Sequence, residues 1–437
     1  VLLSKRKLIN NLFLTGFAFY GIGMYRAYKG NLSEGFVLSM LPFLLILLLH
    51  GLDLMYRQRV RVVVNRVYWL SLLYLLSLVG SIWYAWLTGF PGFNQVNVIV
   101  QSLLYVVPFH AAMVVQIHNR DNDDFNFSAL ILKGLSLLIL VNLLGYAAGL
   151  RNVVHFFEGR MNLPFLRGLY DAAHLMSIIN LMLLLYFKNF LKRPVEFMGM
   201  LLFYLVNMAI MVNVNSRLSF LMFLVLTVLF ALRIMRTLRL LYPISLFTMP
   251  LLMSFALLIY EILTLPIFAK LMTRVDKEDV TTFNSRTYIW EAAWEWFMHD
   301  RRGLLFGSGY NGQYGLGMME HIAAIFQTDY AYNVHMHSTF LAIVMSQGLF
   351  GYVLFCVLMW YGYTFYRRRY LANGVEAPLF GAMVYLLFIW QIDIFVYGLD
   401  IGTPLFFSML SYLAIDKATI VRESRDMEGR SLAAPSA

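Results

Sequence analysis

Two histidines, His335 and His337, stand two residues apart where a long polar stretch gives way to an apolar run, in YNVHMHSTFLAIV. Imidazole is the side chain whose ordinary pKa suits proton transfer near neutral pH, so His337, nearest the apolar run, is a candidate general base for a hydroxyl. The same stretch holds Arg286 and Trp290 in NSRTYIWEAAWEWF, then Tyr310 and Asn311 in LLFGSGYNG. Arg217 lies between two apolar runs in NVNSRLSFL, and Arg160 and Arg167 lie in EGRMNLPFLRG. A guanidinium fork grips phosphate oxygens in pairs and stays charged when desolvated, so arginines converging beside a histidine suit transfer from a phosphate-linked donor to a hydroxyl. Arg217, Arg286 and His337 are the catalytic candidates. His335, Arg160, Arg167, Trp290, Asn311 and Tyr310 are the candidate substrate contacts.

Simpler readings stand beside these. Arginines at helix ends reach out to lipid headgroups, and the face formed by Trp290, Trp294 and Phe297 suits a helix lying on a membrane surface. Residues two apart share a face on a strand but point about 200° apart on a helix, so a metal site built on the histidine pair is not expected. GLLFGSGYNGQYGLG has no following Lys-Ser or Lys-Thr and no preceding strand, which excludes a nucleotide-binding loop. His-Glu-x-x-His and Gly-x-Ser-x-Gly are absent. Neither a metal nor a cofactor is expected.

The elements that position these residues are membrane helices. The 437 residues are 60% hydrophobic and 13% charged, with mean hydropathy +0.68, a composition no ordinary soluble globule has. Crossing the hydrocarbon core takes about 20 apolar residues, and about twelve such runs can be placed: 8–28, 34–55, 67–88, 95–117, 129–150, 168–187, 196–213, 218–235, 241–262, 338–366, 377–396 and 401–416. The runs are continuously apolar, which favours helices over a barrel. The expected fold is an all-α polytopic membrane protein with one large, partly helical periplasmic loop between the ninth and tenth spans. Residues 1–263 carry spans one to nine, 264–337 the loop with the catalytic motifs, 338–416 the last three spans, and 417–437 a cytoplasmic tail.

The net charge of +10 sorts by topology instead of forming a nucleic-acid patch. Lys5–Lys7, Arg57–Arg66, Lys188–Arg193, Arg233–Arg239, Arg367–Arg369 and Lys417–Arg422 fall on one face, which the positive-inside rule makes cytoplasmic, both termini with it. The first run reads as a retained signal-anchor helix. The sole cysteine, Cys356, excludes an intramolecular disulfide.

In the order of its motifs the chain resembles the O-antigen ligase and O-antigen polymerase superfamily, bacterial membrane glycosyltransferases of the GT-C type. The resemblance runs from about Asn213 to Gly351. It comprises Ser216-Arg217 opening a helix; Arg286 with Trp290 and the Gly307-Ser308-Gly309 turn; then His335-Met336-His337-Ser338 and Gly348-Leu349-Phe350-Gly351. Ser338 stands where the family has asparagine. The resemblance implies metal-independent, inverting transfer of a glycan from undecaprenyl pyrophosphate at the periplasmic face of the bacterial inner membrane, with membrane lipids around the chain. It also implies roles: Arg217 and Arg286 on the pyrophosphate, His337 deprotonating the acceptor hydroxyl. The His-x-His spelling favours the ligase, whose acceptor is lipid A–core. The alternative is a polymerase that joins lipid-linked repeat units, which would bring a chain-length regulator as partner. A polysaccharide flippase is more remote, since such transporters carry charges within spans and show two related halves.

Overall fold

The computed structural model describes residues 4–57, 64–90, 94–120, 122–152, 161–191, 193–214, 216–253, 286–325, 335–372 and 377–415. Among them there is no strand. The helices are α1 (Lys5–Tyr28), α2 (Leu32–Arg57), α3 (Arg66–Leu87), α4 (Gln95–His118), α5 (Phe127–Ala147), α6 (Leu169–Phe190), α7 (Pro194–Val214), α8 (Arg217–Ala231), α9 (Ile234–Thr237) and α10 (Leu241–Met253). After residues outside the description come α11 (Arg286–His299), α12 (Arg301–Phe306), α13 (Gly312–Gly315), α14 (Met318–Ile325), α15 (Thr339–Ala372), α16 (Ala377–Ile389) and α17 (Gly402–Ala414). Seven of these are long and apolar enough to cross a membrane. The chain is a multi-pass, all-helical membrane protein. Arg160, residues 264–285 of the expected loop and the tail 417–437 lie outside the described residues.

Helix starts follow the local sequence. Asn65, Asn94 and Asn126 each accept a hydrogen bond from an amide in the first turn that follows them, which satisfies donors a helix leaves open at its start. α16 and α17, apolar on all sides, are sheathed by other helices and buried along nearly their whole length. α7 is the opposite case: Val195, Leu202 and Val212 face outward as lipid-contacting surface.

The bundle has two chemically distinct ends. At one, Lys5 pairs with Asp53 at 2.7 Å, Asn65 donates to the Leu413 carbonyl, and Arg369 donates to Tyr412. At the other, Tyr28 donates to the Leu399 carbonyl and Tyr310 is tied to Gln101 and Tyr105. The basic ends of α1 and α15 therefore lie opposite the loops that carry the histidines.

Two expected spans depart from the structure. The run 377–396 is helical only to Ile389, because residues 390–401 turn back into the protein, held by hydrogen bonds from Thr339. The run 338–366 extends to Ala372 and is broken at Gly348, with φ 69° and ψ −173°. The break is a close backbone crossing: a Cβ on Gly348 would collide with the Leu305 carbonyl, and one on Gly307, φ +82°, with the Ser346 carbonyl.

Candidate active site

The segment 390–401 is the floor on which the histidine turn is built. The Thr339 amide donates to the Trp390 carbonyl at 2.8 Å, and its hydroxyl donates to the Asp393 carbonyl at 3.0 Å while accepting from the Phe395 amide at 3.1 Å. Ser338 Oγ accepts from the Leu341 amide at 3.4 Å and donates to the Trp390 carbonyl at 3.4 Å. The hydroxyl thus caps the start of α15.

His337 sits in this turn with φ 47°, a left-handed conformation that L-residues with a Cβ adopt at a cost. The bend makes the histidine pair neither strand-like nor helical. The His337 amide donates to His335 Nδ1 at 3.2 Å and the rings lie 3.9 Å apart. His337 Nδ1 is buried without a hydrogen-bond partner. Burial, then the neighbouring His335 and Arg286, push the His337 pKa well below its ordinary value, with Asp393 opposing. It is therefore neutral at physiological pH, the protonation state a base needs.

Arg286 donates from Nη1 to the Ile392 carbonyl, so α11 starts at the floor segment with its guanidinium beside His337 and Asp393. Trp290, one turn on, is 2% exposed and donates its indole N–H to the Met336 carbonyl at 3.1 Å. It stands behind the histidine turn.

His335 opens onto a cavity of about 320 Å³ that Arg167, Tyr310 and Asn311 also line, with Tyr28, Gln101 and Tyr397. Four of the expected substrate contacts are thereby brought together. Tyr310 stacks on Tyr397 with ring centroids 5.3 Å apart and shares a 2.8 Å hydrogen bond with Tyr105. Arg167 lies in the field of Asp171 and Asp400. Burial works against its charge, but Tyr28, Asp171 and Asp400 outweigh that and raise its pKa above the ordinary value. Asp400 accepts from the amides of Val396 and Thr403 at 3.0 and 3.1 Å, and burial pushes its carboxyl up to about 6 although Arg167 opposes.

Arg217 is the first residue of α8, directly after the N-cap Ser216, and its side chain lies outside the described residues. The Gly307-Ser308-Gly309 turn has no amides to offer a phosphate. Ser308 and Gly309 donate to the Met345 and Ser346 carbonyls, and Tyr310 donates to the Ser81 carbonyl.

Sequence reasoning overlooked Asp393, Asp400 and His174. His174, on α6 and fully buried, reaches Asp393 Oδ2 from Nε2 at 3.2 Å. The signal was there in QIDIFVYGLDIG, where two acids interrupt an apolar run, because ionisable groups at membrane depth are costly unless they serve a function. Ligand atoms of His335, His337 and Asp393 all lie within 4.8 Å of one another. That spacing would admit a cation, but the Arg286 guanidinium already occupies the field of Asp393 and disfavours a second positive charge there.

Residues 200–356 match the O-antigen ligase family. Over that stretch, about a third of its length, the chain is similar to O-antigen ligases. The match begins in α7 and ends within α15, taking in Arg217, Arg286, the glycine turn and both histidines, whereas Arg167, His174, Asp393 and Asp400 lie beyond it. Comparison with curated proteins and with solved structures finds no match.

Proposed function

We propose that this O-antigen ligase-family protein transfers a glycan from undecaprenyl pyrophosphate to a hydroxyl of lipid A–core, at the periplasmic face of the inner membrane and with both termini cytoplasmic. The observation that carries the reading is the half-buried, neutral His337, whose buried Nδ1 has no hydrogen-bond partner, beside Arg286. The acceptor hydroxyl gives its proton to His337 as its oxygen attacks the anomeric carbon. The bond from that carbon to the pyrophosphate oxygen breaks with inversion, and undecaprenyl pyrophosphate leaves with the electron pair.

Fixed cations help most where charge develops in the transition state, and this is the role of Arg286 and Arg217. Arg167, held between two acids, is charged at the cavity wall and contacts the donor or the acceptor glycan. Aromatic rings and amides, here Tyr28, Tyr310, Tyr397, Gln101 and Asn311, are the groups that meet sugar faces and hydroxyls. Arg160 is proposed to join them, and Trp290 to hold the histidine turn.

The test is transfer by the purified protein in nanodiscs, given undecaprenyl-pyrophosphate glycan and rough lipopolysaccharide. Transfer to the core is expected, unaffected by chelator and reduced about 10²–10⁴-fold in His337→Ala, with His335→Ala milder. Elongation of the lipid-linked glycan without the core acceptor would instead identify a polymerase. Activity lost to chelator and restored by a divalent ion would turn the His335, His337 and Asp393 cluster into a metal site.

A further inference from the structure

His174 sits where two separate parts of the site meet, in a chain of polar contacts sealed from solvent. Its Nε2 faces Asp393 Oδ2 at 3.2 Å, and its Nδ1 faces both Ser219 Oγ and Tyr385 OH at 3.0 Å. Ser219 Oγ in turn lies 3.0 Å from Ser216 Oγ, on the residue that starts α8 just before Arg217. On the far side, Asp393 accepts from the Ile394 amide at 2.8 Å, and its backbone carbonyl is gripped by Thr339. Its carboxylate lies within 4.8 Å of ring nitrogens of His335 and His337. His174 is 0% exposed and Asp393 2%.

A carboxylate only accepts, so Nε2 carries the proton toward Asp393, and Nδ1 faces hydroxyls that can supply one. A buried polar group is retained at a desolvation cost unless every partner is satisfied. Here one side chain satisfies partners on α8, α16 and the 390–401 segment.

We propose that His174 is a positioning residue: one ring nitrogen holds Asp393 against the His335–His337 turn, and the other holds the start of α8, where Arg217 sits. It sets the spacing between the base and the arginine without touching substrate. The kinetic half of this inference rests on the proposed glycan transfer.

Gln and Asn separate the two contacts, because a glutamine amide reaches the Nε2 position and an asparagine amide only the Nδ1 position. His174→Gln is expected to keep kcat within a few-fold of the parent. His174→Asn, which leaves Asp393 unheld, should lower kcat about 10–100-fold. Ser219→Ala, a small deletion on the other side, should lower kcat and kcat/KM for the lipid-linked donor several-fold, because Arg217 acts on charge that develops in the transition state, and should leave His337 carbethoxylation near the parent's rate. Independently of activity, carbethoxylation of His337 by diethyl pyrocarbonate, read by peptide mass spectrometry, should be several-fold faster in His174→Asn than in His174→Gln.

Equal kcat and equal His337 modification in the Gln and Asn variants overturn the proposal. An unchanged donor kcat/KM in Ser219→Ala overturns its α8 half, which this variant decides even if neither His174 variant folds. A parent protein with no transfer activity would count against the glycosyltransferase reading alone. The carbethoxylation rates would then still decide the role of His174.

Discussion

Gly307 and Gly348 form a clasp in which the loop before Tyr310 and the break in α15 lie backbone against backbone, each glycine at positive φ and each facing a main-chain carbonyl of the other segment. The turn that carries Tyr310 and Asn311 into the cavity is fixed by this contact. Gly348→Ala combines a positive-φ, extended backbone that is essentially glycine's alone, costing about 1–3 kcal/mol, with overpacking of about 1–3 kcal/mol. Gly317→Ala is the control, since Gly317 has φ +67° with open space around it and incurs only the backbone part. Thermal unfolding in detergent should show a clearly larger loss for Gly348→Ala, and equal losses would mean that the clasp is not tight.

The depressed His337 pKa sets a pH dependence of known sign. The folded state binds fewer protons than the unfolded chain as pH falls below about 6.5, so His337 lowers stability in acid and leaves it unaffected above that range. The base stays neutral where free imidazole would be mostly protonated. The acid limb of kcat should therefore lie well below pH 6.5, and the residual activity of His337→Ala should lack it. A limb at or above pH 6.5 would assign the base elsewhere.

Asp400 behaves oppositely. Its raised carboxyl pKa means that the folded state holds the proton more tightly, so stability falls as pH rises from about 3.9 to about 6, and the penalty is complete above that. Asp400→Asn should melt with the parent near pH 4 and be more stable at pH 7.5, by on the order of 3 kcal/mol. A gap between the two that does not change with pH would show that Asp400 is ionised throughout.

Orientation is testable with single cysteines in a Cys356→Ala background. Gly312 is covered, so the exposed Leu316 is the better probe of the histidine end, and Leu371 reports the basic end. Leu316→Cys is expected to label from the periplasm and Leu371→Cys from the cytoplasm. Labelling of position 316 from the cytoplasm alone would reverse both the topology and the proposed donor side.

The helices were legible because an apolar run long enough to span lipid has few alternatives, and α1 to α7 begin and end within a few residues of the runs. The cavity was partly legible: Arg167, Tyr310, Asn311 and His335 share it, although three widely separated segments contribute them. Asp393 stood out as an acid within an apolar run, but its pairing with His174 was not legible, because a lone polar residue in such a run carries no local record of its partner. The two are 219 positions apart. The packing of the glycine turn was hidden for a related reason, since sequence spacing does not show that its amides are taken by Met345 and Ser346.

The left-handed backbone at His337 has a bearing on how this protein could be captured with its substrate. Glycine and asparagine occupy that conformation far more readily than histidine, so His337→Gly and His337→Asn remove the imidazole and relax the chain in one change. Such proteins should outlast the parent on heating by roughly 1 kcal/mol while retaining Arg286 and the cavity wall. They are the natural choice for holding an unreacted lipid-linked glycan in place long enough to image it. A screen that scores only expression and folding would therefore favour losing this histidine.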